Sequence, residues 1–288
     1  MVKDLIARRV ADGGALEFEV SGTAVAGLDT GTPVLSYTAA DGRRHEITCD
    51  AIAGCDGFHG ISRPAIPDRL RTVWERDYPY AWLGILAEAA PATDELIYAH
   101  HADGFALHSM RSMQVSKLYL QVDTDARAED WPEARIWAAL QERFALPGWA
   151  VKEGQALDVS ITPMRSFVSA PMRYGRLFLA GDASHIVPPT GAKGLNLAMA
   201  DVTVLADALE GLLVRGDQRL ADAYSDTCLA RVWRATHFSW WMTTMLHRTP
   251  GADPMEAALQ LSQLRYVTTS RAAAVTLAEN YVGYPPLR

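Results

Sequence analysis

The stretch LFLAGDASHIVPPTGAKGLNLA, residues 177–198, sets an acid between two apolar runs. Asp182 ends the first run, and a loop with Pro188, Pro189, Gly191 and Gly194 leads into the second. The first run reads as a buried strand, and Leu195 to Leu213 as a long helix with apolar periodicity. A helix start presents unpaired N–H groups and a partial positive charge. Small residues let a ligand approach that backbone closely, so an anionic or electron-rich ring edge is favoured there. Asp182, at the carboxyl end of its strand, can accept hydrogen bonds from ligand hydroxyls, and open α/β sheets bind ligands at such ends. The same residues also suit a strand, a loop and a core helix with no ligand.

A second stretch tips the balance toward a ligand. AIAGCDG, residues 51–57, is an apolar run ending in Asp56 and Gly57, as a buried parallel strand would. Ser109 and Arg111 stand two apart in FALHSMR and so share one face of a strand, although such a pair alone would also suit a solvated sheet face. The three cysteines, Cys49, Cys55 and Cys228, form no C-x-x-C and no even set. Cys49, Cys55 and His59 fit no zinc spacing, so buried strand cysteines and no metal are expected.

These residues need elements to hold them. With 288 residues, 49% hydrophobic and 21% charged, the chain has length for a large core or two domains. A net charge of −7 argues against a nucleic-acid partner. The N-terminus has no signal layout and no apolar run approaches roughly 18 residues, so a soluble, cytoplasmic protein without membrane contact is expected. Residues 2–10 carry Leu5, Ile6 and Val10 at helical spacing, ended by Gly13 and Gly14. ALEFEV, residues 15–20, alternates like a strand, and residues 34–50 read as a hairpin turning at Asp41 and Gly42. Between 73 and 165, AWLGILAE, ELIYAHH, FALHSMR and KLYLQVD are closely spaced strands, and DWPEARIWAALQERFAL is a helix with an acidic first turn. From residue 220 the pattern is helical. Its aromatic cluster HFSWWMTTMLHR suits a core or a subunit interface better than a membrane surface.

GCDGFHGISR and the 177–198 stretch resemble the second and third cofactor motifs of the flavoprotein aromatic hydroxylases. The similarity extends to ELIYAHHADGFALHSMRS, FSWWMTTMLHR and AENYVG, so it covers essentially the whole chain. It implies an α/β fold: an FAD-binding Rossmann-like domain at 1–72 and 171–213, an inserted mixed or antiparallel sheet domain for substrate at 73–170, and a C-terminal helical interface region at 214–288. It implies FAD as oxygen carrier, NADPH or NADH as reductant, and O2. The reaction implied is ortho-hydroxylation of 4-hydroxybenzoate to 3,4-dihydroxybenzoate through a flavin hydroperoxide, in a homodimer. Another hydroxylated benzoate, or a remnant that binds aromatic acids without catalysis, stand as alternatives.

Residue by residue, the resemblance gives Asp182 the ribityl chain of FAD. It lays Gly191, Lys193, Gly194, Leu195 and Asn196 along the flavin ring. Asp56 and Gly57 serve FAD and NADPH, and His59 and Arg165 serve NADPH. Arg111 clamps the substrate carboxylate, helped by Ser109 and Tyr119; its planar fork can hold both oxygens. Tyr98 and Tyr281 form a proton relay from the substrate phenol, with Pro189 and Thr190 beside the ring. Lys117 stands where the family has an Arg near the flavin, keeping the charge without the fork.

No G-x-G-x-x-G occurs in the sequence. The resemblance begins near Asp4 and Leu5, roughly 100 residues into the family pattern, about the length of one small domain. The expectation is that an N-terminal βαβ unit is lacking or is supplied by another chain. Edges of AIAGCDG and RLFLAGD would then be uncovered, and this chain alone would bind FAD poorly.

Overall fold

The computed structural model describes residues 1–283. Along the chain come α1 (Val2–Ala11), β1 (Ser21–Ala26), β2 (Val34–Thr38), β3 (Arg44–Thr48), β4 (Ile52–Gly54) and β5 (Thr72–Glu88). Then follow β6 (Ile97–Ala99), β7 (Ala106–Met110), β8 (Ser116–Val122), α2 (Glu133–Arg143), β9 (Gln155–Ala170), β10 (Arg173–Tyr174) and β11 (Leu177–Leu179). The remainder is helical: α3 (Gly194–Val214), α4 (Arg219–Asp222), α5 (Tyr224–Leu246), α6 (Pro254–Thr269) and α7 (Arg271–Val282). Two units emerge. The first comprises Met1–Val73, Val168–His185 and Asn196–Arg231. The second comprises Trp74–Phe167, Ile186–Leu195 and the described residues from Val232 on.

In the first unit, β2 and β3 form the expected hairpin, with Thr38 opposite Arg44 and Gly42 at φ 82° in the turn. β11 lies between β10 and β4 and runs parallel to β4, with Leu177 beside Ile52 and Leu179 beside Gly54. Leu28, Ile52, Ile66, Leu177, Leu179 and Ala183 make its core. Among the described residues the outer edge of β4 has no strand partner. Two expectations change here. ALEFEV is not a strand: residues 15–20 pair with no strand among the described residues, and Leu16 and Phe18 are exposed. Cys55, just past the one-sided β4, is exposed, and Cys49 is half-buried, so neither is a core thiol.

In the second unit the strands lie in the order β9-β5-β8-β7-β6, with β5, β8, β7 and β6 successively antiparallel. Alternation sorts their side chains onto two faces. Ala81, Leu83, Ile85, Leu118 and Leu120 face Ile136, Trp137 and Leu140 of α2. Tyr80, Trp82, Phe105 and Leu107 face Phe238, Met242 and Met245 of α5, Val267 of α6 and Ala273 of α7. Cover on both faces explains why YAWLGILAE is a nearly unbroken apolar run. Each fully buried Leu or Ile contributes about 2 kcal/mol. The fold is thus α/β, with an antiparallel sheet unit and C-terminal helices. No described helix is long and apolar enough to cross a membrane.

Candidate active site

In the first unit, β11 ends at Leu179, and Gly181 then turns the chain at φ 63°. Asp182 follows, exposed, and its carboxylate has no hydrogen bond or ion pair among the described residues. The Asp56 carboxylate, by contrast, folds back on its own loop: Oδ2 accepts the Ser62 N–H at 2.8 Å. Gly57 stands at φ 75°, and a methyl group added there would meet nothing within 4 Å. Arg63 ties these two loops together, donating from Nη1 to the Ala183 carbonyl at 3.0 Å and from Nη2 to the Phe58 carbonyl at 2.5 Å. His59 is exposed and lies edge-on to Phe58 at 5.0 Å.

In the second unit the cross-strand register brings the candidate substrate residues onto one face. Tyr98 pairs with Leu107, Leu107 with Tyr119, and Tyr119 with Gly84. Ser109 pairs with Lys117 one step along. Gly84 leaves a flat place beneath Tyr119, whose ring would lie 3.2 Å from an added methyl. Arg111 follows β7, its backbone N–H bonded to the Val115 carbonyl. Its exposed guanidinium makes no hydrogen bond or ion pair among the described residues. Burial pushes the Lys117 ammonium below its ordinary value; Asp158, 3.8 Å away, opposes this, and the Arg111 charge adds to it.

Tyr98, Thr190, Lys193 and Tyr281 form one network. Tyr98 Oη donates to the Thr190 carbonyl at 3.0 Å and lies 3.2 Å from Tyr281 Oη. Its single proton goes to Thr190, so Tyr281 is the donor in the pair. Burial raises the Tyr98 phenol far above its usual value, and Tyr281 adds to the effect. Lys193 donates to the Tyr281 carbonyl rather than reaching into open space, and burial lowers its ammonium. Thr190 is fully buried and receives a 2.9 Å hydrogen bond from Thr243 of α5. Pro189 is exposed beside it.

The two loop glycines differ. Gly191 is buried, and an added methyl would sit 2.6 Å from Ser239 Oγ, so this glycine serves packing against α5. Gly194, opening α3, has nothing within 4 Å, and Leu195 and Asn196 beside it are exposed. Arg165 lies 3.4 Å from both Glu75 and Asp77 and reads as an ion-pair residue of the sheet.

Sequence reasoning passed over several buried polar groups. His247 is fully buried and accepts from Trp82 Nε1 at 2.6 Å, so its proton sits on Nδ1 and goes to the Thr243 carbonyl. Burial pushes its imidazole down to about 3. Asp201 and His185 form a buried pair 2.5 Å apart beneath the Asp182 turn. The signal for Asp201 was in the sequence, since the helical period of Leu197, Leu205 and Leu212 puts this acid on the buried stripe.

Residues 1–239 match the model of the FAD binding domain family. The chain belongs to that family. It is similar to a p-hydroxybenzoate hydroxylase of Acinetobacter baylyi, 47% identical over 249 residues, which are 85% of this chain and 61% of the relative. It is also similar to a 6-methylpretetramide 4-monooxygenase of Streptomyces rimosus, 28% identical over 64% of this chain and 33% of the relative. The chain therefore spans less than two thirds of the length of these curated relatives. The crystal structure of a p-nitrophenol 4-monooxygenase from Pseudomonas putida shares the fold at a TM-score of 0.76 and 18% identity, covering 99% of this chain and 72% of the other. An aklavinone-11 hydroxylase solved with FAD and aklavinone does so at a TM-score of 0.69 and 21% identity, over 84% of this chain and 46% of the other.

The residues present fit FAD in chemistry. Asp182 offers an uncommitted acceptor for hydroxyls, and Gly194 opens a helix with room for close approach.

Proposed function

We propose that this chain serves FAD-dependent hydroxylation of 4-hydroxybenzoate to 3,4-dihydroxybenzoate, consuming NADPH or NADH and O2. The observation that carries the reading is the meeting of Tyr98 and Tyr281 at 3.2 Å on the sheet face that also bears Ser109 and Tyr119, with the Arg111 guanidinium uncommitted. When bound, FAD supplies the reductive activation of oxygen. Asp182, Asp56 and Gly57 are assigned to hold it, and so, by residue type, is the 189–196 loop.

Arg111 takes both carboxylate oxygens, and Ser109 and Tyr119 complete the clamp. The phenol sits toward Tyr98, beside Pro189 and Thr190. Because Tyr98 donates to the Thr190 carbonyl, its remaining lone pair accepts from the substrate hydroxyl. Removing that proton enriches the ring in electrons. Tyr98 keeps it and passes its own proton to Tyr281 by turning its O–H from Thr190, while half-buried Tyr281 releases its own proton to solvent. Lys193 fixes Tyr281 through its carbonyl. His59 is assigned to the nicotinamide nucleotide; Arg165 joins it only by releasing Glu75 and Asp77. In this reading 1–72 and 171–213 serve FAD, 73–170 serves substrate, and 214–288, of which 284–288 lie outside the described residues, forms a homodimer interface.

Calorimetric titration with 4-hydroxybenzoate tests the reading. Arg111→Ala should weaken binding by roughly tenfold or more, and unchanged affinity would refute it. One observation favours a second reading, an aromatic-acid-binding module without redox chemistry: Tyr98, Ser109, Arg111, Tyr119, Thr190 and Tyr281 all lie in the second unit. Binding that is independent of FAD, with no dihydroxybenzoate formed when FAD and NADPH are supplied, would select it.

A further inference from the structure

Asp201 is a carboxylate with 1% of its surface exposed, set among Leu197, Leu205 and Leu212 on the buried stripe of α3. Its Oδ2 accepts the Gly181 N–H at 3.0 Å and lies 2.5 Å from Nε2 of His185, itself 1% exposed. Burying such a pair brings a desolvation cost that apolar packing would avoid. The apolar packing of α3 does not require the pair, but the turn at the end of β11 uses it.

That turn is seated tightly on α3. A methyl group on Gly181 would lie 3.1 Å from Ala198 Cβ. The residues after Asp182 are anchored separately. Arg63 donates to the Ala183 carbonyl at 3.0 Å, and Ser184 Oγ donates to the Ser169 carbonyl at 3.1 Å while its own carbonyl accepts the Ser169 N–H at 2.8 Å. On the near side of Asp182 two side chains anchor the chain: Tyr224, whose Oη donates to the Leu179 carbonyl at 2.7 Å, and Asp201 on the Gly181 N–H itself. Asp182 projects from between these anchors with its carboxylate unengaged.

We propose that Asp201, with His185 as its counter-group, is a positioning residue of the cofactor site: by fixing the Gly181 N–H it sets the direction in which Asp182 projects. The proposal rests on the reading of Asp182 as the acceptor for ribityl hydroxyls. The residue type suits the task. A carboxylate offers acceptor oxygens, and here one of them, Oδ2, meets both the Gly181 N–H and the His185 ring nitrogen. Asparagine keeps an acceptor for Gly181 but brings two N–H groups into the same space. Alanine removes the acceptor from Gly181 and His185 alike.

The test uses the full chain with Asp201→Ala, Asp201→Asn, Leu205→Ala and Asp182→Ala. Amide hydrogen exchange of Gly181 is read against that of the β11 amides. Asp201→Ala should accelerate Gly181 at least about tenfold relative to β11, with partial rescue in Asp201→Asn. Leu205→Ala, a loss of packing alone, should move both amides together. An unchanged ratio in Asp201→Ala overturns the proposal. Should that variant not fold, the wild-type chain decides: a Gly181 amide exchanging as fast as that of the exposed loop residue Gly216 overturns it, and strong protection supports it. A second arm reads FAD affinity by quenching of flavin fluorescence, expected to fall about tenfold in both Asp201→Ala and Asp182→Ala. If Asp182→Ala leaves FAD affinity untouched while Asp201→Ala still loosens Gly181, the assignment of Asp182 fails and the anchoring of its turn stands.

Discussion

Gly191 and Gly194 stand three residues apart in one loop, and alanine at each should act with opposite sign. At Gly191 the new Cβ would lie 2.6 Å from Ser239 Oγ, 3.2 Å from Ser239 Cα and 3.3 Å from Phe238 Cδ1. The first contact can relax by rotation, but the second is backbone of α5 and cannot. Overpacking of this kind costs about 1–3 kcal/mol, offset by about 0.4–1 kcal/mol from a less flexible unfolded chain. The net loss is then about 1–2 kcal/mol, and Tm should fall by roughly 2–6 °C for a chain of this size. At Gly194 no atom lies within 4 Å and φ is not left-handed, so only the unfolded-state gain remains and Tm should rise by about 1–3 °C. If the α3 start is where a flavin approaches, Gly194→Ala should nonetheless weaken FAD binding. Differential scanning calorimetry and flavin titration on the two variants decide the matter. Equal shifts of Tm in the two variants, or a neutral Gly191→Ala, would refute the assignment of Gly191 to packing and Gly194 to ligand approach.

Further outcomes follow from the buried polar groups. The His247 imidazole lies at about 3 in the fold against 6.5 when free. The unfolded chain therefore takes up a proton that the folded chain refuses, and stability is lost as pH falls from about 6.5 toward 3, at up to about 1.4 kcal/mol per pH unit. Urea titrations between pH 7 and 5 should show a flatter pH dependence in His247→Gln, and parallel curves would disprove the role of His247. Thr243→Val leaves the Thr190 hydroxyl buried without its donor and should cost about 1–3 kcal/mol in urea unfolding, with Thr243→Ser recovering most of it. Arg165→Ala breaks pairs to half-exposed and exposed acids and should change stability by less than about 1 kcal/mol in the same assay.

The elements with strong local periodicity were legible in the sequence. α1, α2, α3 and the β2–β3 hairpin all announce themselves by apolar spacing, caps or a turn glycine, and the strands AWLGILAE and KLYLQVD do so by apolar runs. Register then carries Tyr98, Ser109 and Tyr119 to one face without further information. ALEFEV was misread because alternation describes a strand only when a neighbour pairs with it, and Leu16 and Phe18 find none among the described residues. The partner that Lys193 meets is not local either: its amine turns to a carbonyl 88 positions away, which no local pattern encodes. Gly191 and Gly194 look alike in sequence and separate only when α5 is seen beside the first. The period of α3 marks Asp201 as buried, but His185 as its partner and the role of His247 have no motif, since an isolated imidazole beside apolar residues does not name what it bonds. Burial alone reveals what each must hold.

His247 lies between aromatic rings, with Phe105 at 4.4 Å, Tyr80 at 4.8 Å and Trp82 at 5.8 Å between centroids, all nearly parallel. Achiral rings acquire circular dichroism when packing holds them in one fixed asymmetric setting. This cluster should therefore contribute to the near-ultraviolet circular dichroism of the second unit. Because that signal needs fixed side chains and not merely helices and strands, it separates native packing from a collapsed state that keeps only secondary structure.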